Sequence, residues 1–119
     1  MVWAAALVLA AAWPGVPTDV FWSWSNLDGS KLWVKLDDIT EERDGGYSVW
    51  LHSYSPRTGK VPPRSSINKL KFDCKGNATY LAATTYNGLG HILKNWDGYS
   101  TTIIRPETSF AHLEKTLCK

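Results

Sequence analysis

The sequence predicts an α+β fold: an antiparallel meander sheet of about six strands, with one C-terminal helix disulfide-tethered to one face. Three observations carry this. Short β-forming runs between Val20 and Trp96 are separated by turns rich in Gly, Pro and Asn. The apolar period becomes helical only after Pro106. The two cysteines, Cys74 and Cys118, fall beside a predicted hairpin turn and at the end of the predicted helix.

The elements follow in order. Val20–Ser25 (VFWSWS) is aromatic-rich and is followed by the turn Asn26-Leu27-Asp28-Gly29. In Lys31–Asp38 (KLWVKLDD), Leu32, Val34 and Leu36 alternate with Lys31, Trp33, Lys35 and Asp37, the pattern of a half-buried strand. A polar turn ending in Gly45-Gly46 leads to Tyr47–Ser55 (YSVWLHSYS), whose two partly apolar faces suit a central strand. Pro56–Pro63 contains three prolines and a glycine, which excludes it from a ladder and makes it an exposed loop. In Ser66–Cys74, Asn68, Leu70, Phe72 and Cys74 share one face, and Ile67, Lys69, Lys71 and Asp73 the other. Lys75-Gly76-Asn77 tolerates positive φ and makes a hairpin turn into Ala78–Tyr86. A second turn, Asn87–Gly90, leads to His91–Trp96.

Pro106 with Thr108 or Ser109 starts the helix, and Phe110, Leu113 and Leu117 form its stripe. Eleven residues make about 16 Å of helix, too short to hold alone in water. A Cys74–Cys118 bond would staple it to the face bearing Leu70 and Phe72. On the chain-entropy argument such a bond constrains the unfolded state by about 4 kcal/mol. Two free thiols in a cytosolic protein are the alternative.

Residues 1–18 read as a signal peptide or leader, and 19–119 as a single domain. Trp3–Ala12 is an uncharged apolar run, too short to span a bilayer, with small residues Ala10-Ala11-Ala12 at the cleavage position. A short core helix is the alternative. An exported chain with two cysteines favours the disulfide. No cysteine near the cleavage site offers a lipid anchor, and no stable membrane insertion is expected once the leader is gone.

A net charge of +2 gives no dense basic stripe, which argues against a nucleic-acid partner. His52, His91 and His112 have no metal-ligand spacing, and no HExxH, CxxC or phosphate-binding glycine loop occurs. No catalytic residue, metal or cofactor is therefore expected. His52 reads as a partly exposed strand histidine and His112 as solvated. Asp37-Asp38 and Glu41-Glu42 read as a solvated charged loop. Binding is the favoured class. Lys69 and Lys71 share the face opposite the predicted core, with Arg64 before them and Lys75 after, the makings of a basic patch for acidic partners. The blander reading is the solvated face of an amphipathic strand. Trp22, Trp24, Trp33, Trp50, Tyr54 and Trp96 exceed what one small core needs, which suits a protein–protein surface.

The run Arg64–Cys74 (RSSINKLKFDC), Tyr86, Gly88 and Gly90, Trp96, Pro106 and a short helix closing on Cys118 together resemble the bacterial surface-adhesin protein E family. The resemblance covers roughly residues 20–118. It implies a six-stranded antiparallel sheet with its C-terminal helix disulfide-tied to the concave side. It also implies export to the periplasm or cell surface of a Gram-negative bacterium, and adhesion to host matrix and plasma proteins such as vitronectin, laminin and plasminogen. The expectation is thus an exported, non-enzymatic binding module with a protein partner. A periplasmic structural or inhibitory domain that binds an envelope protein is the alternative, and a small hydrolase or ligand carrier ranks last. An open sheet also leaves an edge strand free to pair into a homodimer.

Overall fold

The structure, a computed structural model, describes residues 19–118; the leader expected at 1–18 lies outside them. Within them the chain forms seven strands and one helix: β1 Val20–Ser25, β2 Lys31–Lys35, β3 Ile39–Glu41, β4 Tyr47–Ser55, β5 Arg64–Phe72, β6 Asn77–Asn87, β7 Ile92–Ile103 and α1 Ser109–Leu117. All pairings are antiparallel, in the order β1-β2-β4-β5-β6-β7, with short β3 pairing β4 beyond the end of β2.

The fold class agrees with the sequence, and several element boundaries do not. The run Lys31–Asp38 is not one strand. β2 ends at Lys35, and Leu36–Asp38 forms a single 3₁₀ turn. The Asp38 carboxylate accepts from the Lys35 backbone N–H at 3.1 Å, which closes that turn. Leu36 is consequently 59% exposed instead of lining the core with Leu32 and Val34. The last strand continues past Trp96 to Ile103. Its register against β6 jumps between Tyr80↔Ser100 and Ala82↔Asp97, so Gly98-Tyr99 opposite Leu81 form a β-bulge within the strand. Gly98 takes φ 148°, and a Cβ there would meet the Trp96 ring at 3.3 Å.

One face of the sheet carries the core. Trp22, Val34, Val49, Leu51, Leu70, Phe72 and Ala78 are buried on it together with Leu113 and Leu117 of α1. Phe110 adds an edge-on contact to Phe72, with ring centroids 5.9 Å apart. Thr108 is the N-cap, its hydroxyl accepting from the Ala111 N–H at 3.2 Å. Each fully buried leucine or phenylalanine contributes about 1.5–3 kcal/mol of transfer free energy, and the stripe residue Leu113 is fully buried.

The staple is present: Cys74 is bonded to Cys118, with Cα atoms 5.7 Å apart. Its geometry differs in one respect from simple alternation. β5 ends at Phe72, and Cys74 sits in the following turn at φ 62°. That turn is held by Asp73, whose carboxylate accepts from the backbone N–H of Lys75 at 2.7 Å and of Asn77 at 3.1 Å. The Glu114 carboxylate of α1 also accepts from the Gly76 N–H at 3.2 Å, so turn and helix are joined twice. Nearby, a Cβ on Gly46 would lie 2.5 Å from the Phe72 carbonyl oxygen, so the entry to β4 requires glycine.

A candidate ligand-binding face opposite the helix

The sheet face turned away from α1 follows from strand register. β4 and β5 pair without a break from Tyr47↔Phe72 to Ser55↔Arg64. Strict alternation therefore puts Ser48, Trp50, His52 and Tyr54 on one face with Lys71, Lys69, Ile67 and Ser65. Trp33 of β2 stands opposite His52, and Lys31 opposite Tyr54. On the other side, Tyr86 and Thr84 of β6 stand opposite Ser65 and Ile67. The outcome is two cross-strand rows, Lys31-Tyr54-Ser65-Tyr86 and Trp33-His52-Ile67-Thr84.

Between these rows lies an open groove of about 420 Å³ lined by Trp33, His52, Tyr54, Ser65, Ile67 and Tyr86, with Ser53 and Ser66 beneath. Ser53 and Ser66 alternate to the core side, where their hydroxyls bond each other. The Trp33 and His52 rings stack with centroids 5.4 Å apart, 10° from parallel. His52 Nε2 lies 3.0 Å from an Asp38 carboxylate oxygen. Trp33 is only 7% exposed, and its indole N–H is the one buried side-chain polar atom without a partner among the described residues. A buried donor left unpaired costs about 1–3 kcal/mol, and this nitrogen is shielded from solvent, the groove included.

A second, smaller hollow of about 110 Å³ lies beside it, lined by Asp38, Thr40, Glu42, Ser48, Trp50 and Lys69 along with Val49. Its acidic groups are already engaged, Glu42 accepting from the Ser48 hydroxyl and Asp38 from Lys35 and His52. Asp38 and Glu42 are thus structural acceptors and not a solvated loop. Among the described residues no three His, Cys, Asp or Glu side chains converge as metal ligands.

The four basic residues singled out by sequence are dispersed. Lys69 and Lys71 share the helix-free face as expected. Lys71 forms an ion pair with Asp44, which draws the Asp44 carboxyl below its ordinary range and lifts the Lys71 amine. Lys69 lies over the Trp50 ring, 5.6 Å from its centroid. Arg64 begins β5 with the parity of Leu70 and Phe72, so it belongs to the opposite face, seven residues or about 24 Å from Lys71. Lys75 lies in the exposed turn beyond the strand. The structure brings two of the four together and leaves the other two apart.

The groove is not among the sites expected from the sequence. Its signal was there: His52, Tyr54 and Trp50 share one phase of β4, and Trp33 stands out of phase with the core residues of β2. His112 also differs from expectation. It is exposed yet not simply solvated, because its Nδ1 accepts from Trp22 Nε1 at 2.8 Å and its ring lies 5.3 Å from that of Trp24.

No family model, no curated protein and no solved structure matches this chain.

Proposed function

We propose that the chain is an exported, non-enzymatic binding module that meets a protein partner with the sheet face opposite the helix. One observation carries this reading: that face presents a groove walled by Trp33, Tyr54 and Tyr86, with no helix over it among the described residues. Tyr54 and Tyr86 are partly exposed there, and aromatics of that kind are frequent anchors of protein recognition. The Cys74–Cys118 disulfide supports passage through an oxidising compartment.

The Asp38–His52 pair orients the histidine ring under Trp33. The resemblance to protein E adhesins supplies the first partners to try. The oxidised chain should bind immobilised vitronectin, laminin or plasminogen saturably, and keep binding at physiological salt, because the groove is aromatic and not a cationic patch. Failure on all three would remove the adhesin form of the proposal and favour a partner within the bacterial envelope.

A further inference from the structure

We propose that the groove is a subsite for one neutral saccharide unit, a hexose or N-acetylhexosamine, carried on the glycan of the protein partner. The inference rests on the helix-free face being the binding face, and names what the groove reads there.

Size is the first argument. The groove volume of about 420 Å³ falls within the range of small-ligand sites. It spans four strands and two rows, about 14 Å by about 7 Å, a footprint for one or two sugar rings and not for a folded surface.

Wall chemistry is the second. A sugar ring has an apolar C–H face and a rim of hydroxyls. Tyr54 and Tyr86, both partly exposed, offer aromatic surface for the former. Ser65, the two phenols and the His52 ring offer donors and acceptors for the latter.

Charge is the third argument, and it selects a neutral sugar. The carboxylate nearest the groove, Asp38, is bonded to His52. Lys31 at one end lies over the Tyr54 ring, 5.9 Å from its centroid, and Lys69 is held over Trp50. Lys71 is paired with Asp44. An acidic glycan would have to draw these cations from their rings and partners, and would face Asp38 and Glu42 in the adjoining hollow.

The test uses serum albumin bearing hexose or N-acetylhexosamine chains, with bare albumin, a sialylated conjugate and soluble bacterial cell-wall glycan fragments alongside. Saturable binding to a neutral conjugate, little changed by salt, is expected. Tyr86→Ala and Tyr54→Ala should each weaken it about threefold to tenfold, while Trp96→Ala, on the other face, leaves it unchanged. Binding no better than to bare albumin would overturn the proposal. So would binding to the sialylated conjugate alone, preference for the cell-wall fragments, or indifference to Tyr86→Ala. If the conjugates fail while vitronectin, laminin or plasminogen still binds and is lost with Ile67→Asp, the saccharide subsite is wrong and the binding-face reading stands. If conjugates bind and those proteins do not, the saccharide subsite and the binding face stand and the adhesin form of the proposal falls.

Discussion

Trp22 of β1 donates its indole N–H to Nδ1 of His112 on α1, 2.8 Å away, across 90 residues of sequence. Trp22 is 5% exposed, so this bond ties the edge strand to the terminal helix with a buried donor. Replacing His112 with Ala leaves that donor unpaired and should cost about 1–3 kcal/mol. Urea unfolding followed by tryptophan fluorescence would measure the loss, and His112→Gln, which restores an acceptor, should recover part of it.

The disulfide makes a separate prediction. Cys74 and Cys118 close a loop of 44 residues' separation, and α1 has nine residues, below the length that is stable alone. Reduction, or Cys74→Ser, should lower stability by up to about 4 kcal/mol. Hydrogen exchange should show the loss of protection concentrated in α1 and the β5–β6 turn, with the centres of β4 and β5 least affected.

Core burial predicts a contrast between two leucines. Leu113 is fully buried, whereas Leu36 is 59% exposed. Leu113→Ala should cost about 2–5 kcal/mol, and Leu36→Ala less than about 0.5 kcal/mol. Equal costs in denaturant titrations would contradict the placement of the 3₁₀ turn.

Acid should loosen the β5–β6 turn. The Asp73 carboxyl is held below its ordinary range first by the Asn77 side-chain amide, then by the Lys75 and Asn77 backbone N–H groups. A lowered folded-state value means the carboxylate's contribution is full above the ordinary carboxyl range, about pH 4. It is lost as pH falls through the folded value. Asp73→Asn should therefore flatten the acid limb of the stability curve below about pH 4, with little change in slope near neutrality.

β7 leaves a twelve-residue edge with Ile92, Leu93, Trp96, Tyr99 and Ile103 exposed and no proline to blunt it. Antiparallel pairing with a second copy, centred on Trp96, would set Asn95 against Asp97 and Lys94 against Gly98, opposing no like charges. Sedimentation should then show a concentration-dependent dimer, and Trp96→Lys, which places like charges at the centre, should keep the chain monomeric.

Local chemistry was the legible part of this fold. The β5–β6 hairpin was readable from Gly76 and the alternation of Leu70 and Phe72, and the helix from Thr108 and the Phe110-Leu113-Leu117 stripe. The disulfide followed from cysteine number and an expected leader. Hidden features depended on partners distant in sequence. Asp38 splits a run that alternates cleanly because it can cap Lys35 and reach His52 at once. Asp97-Gly98 has turn composition, yet the strand runs through it, Asp97 pairing with Ala82 and Gly98-Tyr99 bulging opposite Leu81. The groove needs Trp33, Ile67 and Tyr86 from three strands, and only register brings them together. The basic residues were misleading for a related reason: a list of lysines and arginines carries no record of Asp44 beside Lys71, nor of the parity that sends Arg64 to the other face.

The claim on which the account turns is that the partner is met by the face opposite α1. The most direct measurement compares binding of the oxidised chain, Ile67→Asp and Arg105→Ala to immobilised vitronectin, laminin and plasminogen, with near-ultraviolet circular dichroism to confirm that each variant is folded. Ile67 lies in the groove, and Arg105 in the exposed segment leading to α1. The account predicts saturable binding by the native chain, at least a tenfold loss with Ile67→Asp, and none with Arg105→Ala. Undiminished binding by a folded Ile67→Asp variant would contradict it.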